Sequence, residues 1–216
     1  MIKIHKFFLI ILFIMGNTAL ANEKIRISQF DKDGIQGWEK HSFKGNTLYT
    51  SVNDEEKGQV LKAYSHNSAS GLIMKKRIDL AQTPFLNWHW KIENTLDRLA
   101  ETMKEGDDFA ARIYIIVDGG VFFWNTLALN YVWSSTMKKS SHWTNPFTSN
   151  AKMISIESGN KLSKKWVQEK RNVRDDLRIA YQKDIRIIDA IAIMTDTDNS
   201  GQSATAYFHN LYFSKD

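Results

Sequence analysis

From residue 106 to residue 117 the chain writes two faces at a period of two. Phe109, Ala111, Ile113, Ile115 and Val117 fall on one side, and Asp108, Ala110, Arg112, Tyr114 and Ile116 on the other. That period is the signature of a strand, and the contrast between its sides implies a sheet with one greasy face and one face carrying charge. Residues 86–92 and 127–133 alternate in the same way. Three such segments predict a central sheet whose polar, concave side can hold a ligand.

The rest of the chain reads as further strands around residues 25–27, 47–51, 60–64, 71–78, 152–157, 166–173, 185–195 and 203–214, with turn residues between them. Residues 185–195 are mostly apolar and suit a strand covered on both faces. In 203–214, Thr205, Tyr207, His209, Leu211 and Phe213 fall on one side. Two short helices interrupt. One is expected after Asn94 or Thr95, with Leu96, Leu99, Ala100 and Met103 at helical spacing and Gly106 as its stop. The other runs over 174–181, capped by Asn172, with Asp175 and Asp176 in its first turn. The fold class is therefore all-β, an antiparallel β-sandwich of the jelly-roll type with two short helices.

The first 21 residues read as a cleaved signal peptide. Lys3 and Lys6 precede an apolar run over 7–15, and Ala19-Leu20-Ala21 supplies a cleavage site. The run is too short for the about 20 residues a membrane span needs. Residues 22–216 are then one sandwich domain, periplasmic or secreted and not membrane-embedded after cleavage. Export without any cysteine means the core must hold the fold without disulfides. Loss of the two lysines lowers the formal charge from +5 to +3. No basic stripe interleaved with aromatics appears, so nucleic acid is not an expected partner.

Motifs for nucleotide, metalloprotease or serine-hydrolase chemistry are missing. What remains are polar residues on strands. Asp108 and Arg112 share a face but stand roughly 13 Å apart along it, so each needs a partner from elsewhere. Asn130 lies on the polar side of a neighbouring strand, and Arg171, Asn172 and Asp176 lie where a strand gives way to a helix. The expected binding set is Asp107, Asp108, Arg112, Asn130, Trp133, Arg171, Asn172 and Asp176, lining one pocket. The competing reading is a buried network in which these residues satisfy one another. Trp88 and Trp90 belong to the core. Trp124, Trp133 and Trp143, in or near loops, are candidates for stacking on sugar rings.

The loop 196–201 supplies oxygens at alternate positions before a glycine, so Asp196, Asp198 and Ser200 are candidate calcium ligands. It is not an EF-hand, because position 12 is Tyr207 and the flanks are strands. The alternative is a turn whose side chains cap its own backbone.

Several blocks then read together: Ser70-Gly71-Leu72, Thr83-Pro84, Asn87-Trp88-His89-Trp90, Gly106 to Arg112, Asn130-Tyr131-Val132-Trp133, Glu169-Lys170-Arg171-Asn172, and Thr195 to Gly201. Together they resemble the exported bacterial family known as domain of unknown function 3047. That resemblance implies no activity and no catalytic residue. The strand order and the ending Tyr207-Phe208-His209-Asn210-Leu211-Tyr212-Phe213 are also similar to galactose-binding-like, jelly-roll carbohydrate-binding modules. The leading expectation is a non-catalytic binding module for a glycan or another polar envelope ligand, hydroxyl-rich or carboxylated. The alternatives are a carboxylate-dependent hydrolase or lyase acting on an envelope polysaccharide, and an envelope assembly or adaptor protein.

Overall fold

A computed structural model describes residues 24–28, 30, 34–121 and 125–216. The signal segment and Trp124 lie outside the described residues. Two sheets face one another. The first has the order β11-β6-β13-β4-β3, with β1 paired to β13; the second has the order β2-β5-β12-β7-β8-β10-β9. In the first sheet the strands are β1 (Lys24–Arg26), β3 (Leu48–Asp54), β4 (Gly58–His66), β6 (Phe85–Ile92), β11 (Val167–Asn172) and β13 (Ser203–Ser214). In the second they are β2 (Glu39–Lys44), β5 (Ala69–Asp79), β7 (Arg112–Val117), β8 (Leu127–Ser134), β9 (His142–Thr144), β10 (Ala151–Ser158) and β12 (Ile187–Asp196). All pairings are antiparallel except β8 with β10. A parallel pair needs a long return, and residues 135–150, with β9 inside them, provide it.

The core lies between the sheets, and its seam is aromatic. Trp88 and Trp90 on β6 meet Tyr131 and Trp133 on β8, with Trp88 stacked on Tyr131 at 5.6 Å and Trp90 tilted on Trp133 at 5.7 Å. All four are fully buried. Such pairs add about 0.5–1.5 kcal/mol each beyond the area they bury. Ile113 and Ile115 of β7, with Ile191 and Ile193 of β12, complete the inner face.

Local chemistry moves three features from where periodicity alone puts them. Strand β7 starts at Arg112, so Phe109 is released from its alternation and packs on the outer face with Val132 and Met153. In β13 a register shift between His209 and Tyr212 accompanies Asn210 at φ 53°. Ala204, Ala206 and Phe208 are buried before the bulge and Leu211 and Phe213 after it, while Thr205, Tyr207 and His209 are only partly buried. The helix expected over 95–103 does not form. Arg98 is left-handed at φ 55°, and distant side chains take the backbone N–H groups: Asn160 that of Thr95, Ser135 that of Leu96, Gln202 that of Asp97. Only a 3₁₀ turn over Lys104–Gly106 remains. Gly106 is required there for space, because a Cβ would come within 2.5 Å of the Ala100 backbone. The other helix, α1 (Val173–Tyr181), forms as expected, with the Asn172 side chain accepting from the Asp175 N–H at 3.1 Å.

Candidate functional site

The outer face of the second sheet carries a cleft of about 490 Å³ that runs across its strands. Its lining draws on β2 (Phe43), β5 (Ala69), β12 (Met194, Asp196), β7 (Arg112, Tyr114), β8 (Ala128, Asn130) and β10 (Ala151). Loop residues Asp107, Asn145, Phe147, Thr148, Asp198 and Asn199 close it. Five intervals between those strands, at about 4.8 Å each, make a floor roughly 24 Å wide.

Arg112 is the centre of the floor. It is 4% exposed, with its guanidinium 4.9 Å from the Phe109 ring and 5.0 Å from that of Tyr114. Nη1 donates to Asp196 Oδ2 at 2.7 Å, and Nη2 stands 3.7 Å from Asp107 Oδ2. The Phe109 N–H holds the other oxygen of Asp196 at 3.3 Å. Asn145 donates to Asp107 Oδ2 at 2.9 Å. Asp108 turns away to the loop beyond β12, accepting from the N–H groups of Asn199 (3.2 Å) and Ser200 (2.6 Å). So the loop is capped by an aspartate from another segment, and Gly201 at φ 67° turns it back into β13.

This floor is rich in carboxylate. Burial pushes Asp196 up, and the nearby Asp107 and Asp108 add to the effect against the pull of Arg112. Burial likewise raises Asp107, and with Asp108 it raises Asp198. Two acceptors on the floor have no donor among the described residues: Asp107 Oδ1 and Asn130 Oδ1, in side chains 5% and 0% exposed. Above them stand two uncovered aromatic rings, Phe43 at 68% and Phe147 at 55% exposure.

The expected binding set therefore divides. Asp107, Arg112 and Asn130 converge on the cleft, and Asp108 holds its loop wall. The other four sit elsewhere. Trp133 is a core residue with its indole N–H on the Gly159 carbonyl at 3.1 Å. Asn172 is spent on the helix cap. Arg171 grips Asp176 through Nε and Nη2, and the buried Tyr131 hydroxyl donates to Asp176 at 2.7 Å. That network belongs to the junction of β11, α1 and the core. Trp143 packs half-buried beside Phe109 at 6.3 Å. The rings that do line the cleft, Phe43, Tyr114 and Phe147, and its amide Asn145 carry no sequence signal beyond being polar or aromatic near strand ends.

The candidate calcium set also changes. Carboxylate oxygens of Asp108, Asp196 and Asp198 lie within 4.8 Å of one another, and Asp108 stands where Ser200 was expected. An oxygen-only set suits calcium. Yet both oxygens of Asp196 and both of Asp108 already accept N–H donors, and Arg112 brings its own positive charge. The cluster fits a protein-bound cation better than a free metal ion.

A second carboxylate pair lies outside the cleft. Burial, then the neighbouring Glu157, push Glu169 up to about 7, while Lys139 pairs with Glu157. Unfolded, Glu169 titrates near 4.3. Between about pH 4.5 and 7 the unfolded chain releases a proton that the folded chain keeps, so this group costs stability as pH rises through that window. Glu169→Gln is expected to match the wild type at pH 4 and to exceed it by about 1 kcal/mol at pH 8, a figure reduced for partial exposure. Urea unfolding across that range checks it, and an offset independent of pH counts against the pair.

A family model described as protein of unknown function (DUF3047) matches residues 36–212. No curated protein matches the sequence. Among solved structures, the chain is similar to a non-crystalline-cellulose-specific carbohydrate-binding module, CBM28, at 13% identity and TM-score 0.45, over 85% of this chain and 91% of that one. It is similar to the xyloglucanase domain of NopAA from Sinorhizobium fredii, solved with cellobiose, at 12% identity and TM-score 0.45, over 82% and 93%. It is similar to the Endo-D glycoside hydrolase domain from Streptococcus pneumoniae R6 at 11% identity and TM-score 0.43, covering 83% of this chain but spanning only 22% of that one. Among the described residues no helix is long and apolar enough to cross a membrane.

Proposed function

The chain belongs to the family described as protein of unknown function DUF3047, and from that premise we propose that it is an exported, non-catalytic binding protein for a glycan. The observation that carries this reading is the cleft itself. Buried acceptors without donors among the described residues lie on its floor, and exposed aromatic rings stand at its rim. A buried polar atom without a partner costs about 1–3 kcal/mol, and a ligand hydroxyl that donates to it recovers that cost. Rings beside such a floor suit the apolar faces of sugars, and the volume falls within the range of small-ligand sites. The width of the floor favours an extended chain over a single sugar.

Hydrolysis is less well served. Glycosidases need two available carboxyl groups about 5–5.5 or 6.5–9.5 Å apart. Here Asp108 and Asp196 are already held, Asp108 by the Asn199 and Ser200 N–H groups and Asp196 by the Phe109 N–H and Arg112.

Phe43→Ala and Phe147→Ala are expected to weaken glycan binding roughly tenfold each, about 1.4 kcal/mol. Unfolding stability should stay within about 0.5 kcal/mol, because both rings are exposed. Calorimetric titration of a neutral and charged oligosaccharide panel, with an assay for released reducing ends, makes the measurement. Cleavage by the wild type would replace the binding reading with the hydrolase one. Unchanged affinity in both variants would move the ligand off this cleft.

A further inference from the structure

The cleft has an imbalance that a neutral glycan does not correct. Asp107 and Asp196 flank the one guanidinium, Arg112, and carboxylate oxygens of Asp108 and Asp198 lie within 4.8 Å of Asp196, so the acids outnumber a cation that is already engaged. Two lysines stand nearby. Lys44 gives its ammonium to the Asp198 carbonyl at 2.9 Å and to Asn67 at 3.3 Å, and Lys104 lies over the Phe147 ring at 5.4 Å. Both are at the rim, and neither is ion-paired with a floor carboxylate. On the floor, Asp107 Oδ1 and Asn130 Oδ1 accept from no donor among the described residues, against one unused donor, Arg112 Nε. Excess acceptors and excess negative charge occur at one place, under partial desolvation, where each is costly.

We propose that the cleft recognises an ammonium-bearing ligand, an oligosaccharide of amino sugars with free primary amines, and rejects uronic acid and other anionic glycans. This rests on the glycan-binding reading above and names the sugar class within it. A primary ammonium offers three donors and a positive charge. It matches Asp107, Asp198 and Asn130 Oδ1 as acceptors, and Tyr114 and Phe43 supply ring faces that attract a cation. A carboxylated ligand would bring acceptors to acceptors and charge to like charge.

Calorimetric titrations would compare a glucosamine tetramer, its fully N-acetylated counterpart, a galacturonate tetramer, spermidine and calcium chloride at one pH and low salt. The expected result is that the free-amine tetramer binds at least tenfold tighter than the N-acetylated one, and that galacturonate does not bind. Asp198→Asn, a substitution at a half-buried position, should remove most of that preference, read as the ratio of the two affinities in the same protein. Equal binding of the two tetramers, or binding of galacturonate, overturns the amine assignment and leaves the glycan reading standing. Spermidine binding as tightly as the amino-sugar tetramer keeps the ammonium and overturns the sugar. Calcium binding that abolishes the amine preference overturns the assignment in favour of a metal at the same carboxylates. No binding by any sugar overturns both readings.

Discussion

Arg112→Ala is expected to lose about 3–5 kcal/mol of unfolding stability at neutral pH. The guanidinium is 4% exposed and is the counter-charge of Asp196, itself 2% exposed, with Asp107 alongside. Its removal leaves buried carboxylates that must either stay charged without a partner or take up protons. The second route makes the loss depend on pH. Burial already holds Asp196 at about 8 with Arg112 in place, and without the guanidinium it titrates higher still, against roughly 3.9 in the unfolded chain. The folded state then keeps a proton that the unfolded state gives up, so stability falls as pH rises above about 4. The variant's deficit should be smaller at pH 4.5 than at pH 8. Arg112→Met with Asp196→Asn, which removes both charges and keeps bulk, should recover much of the loss. Denaturant unfolding of the three proteins at both pH values decides it. A loss under about 1 kcal/mol at pH 8 would mean that the floor is open to water, and the argument from desolvation would fail with it.

The sequence carried the sandwich and most strand positions because burial repeats at a fixed period, and period survives without knowledge of neighbours. Trp88, Trp90, Ile113, Ile115 and Ile193 are all where alternation puts them. The helix expected over 95–103 does not form, because helical spacing of Leu96 and Leu99 says only that both are buried. Competing side chains from Ser135, Asn160 and Gln202 reach its backbone from 39 to 105 residues away, beyond any local pattern. The site was legible in part for a related reason. Asp107, Arg112 and Asn130 announce themselves as polar groups on strands or at their mouths. Phe43 does not, because β2 is exposed along its length and shows no alternation in burial. Sheet order decides which polar residues meet. β7 sits between β12 and β8, so Arg112 meets Asp196, while Arg171 sits on β11 at the edge of the other sheet.

That separation makes Asp176→Ala and Asn130→Ala opposite experiments. Asp176 is 4% exposed and takes three donors, two from Arg171 and one from the Tyr131 hydroxyl. Its loss leaves a fully buried phenol without an acceptor and a partly exposed guanidinium without its anion. The phenol costs about 1–3 kcal/mol. Breaking the ion pair costs toward the lower end of about 3–5 kcal/mol, because Arg171 keeps a third of its side chain in water. Together they predict a loss of about 4–6 kcal/mol, with ligand affinity of the folded fraction unchanged. Asn130 is different. Its amide donates only at 3.4 and 3.5 Å, and its Oδ1 has no donor among the described residues. Truncation removes an uncompensated acceptor along with two weak bonds, so stability should shift by less than about 1 kcal/mol while binding falls at least tenfold. The double variant should show additive losses of stability, since the two networks share no residue. Denaturant unfolding and titration of the same samples test both halves. A large loss of stability from Asn130→Ala with binding intact would make the cleft floor a structural network and would leave its aromatic rim without a purpose in recognition.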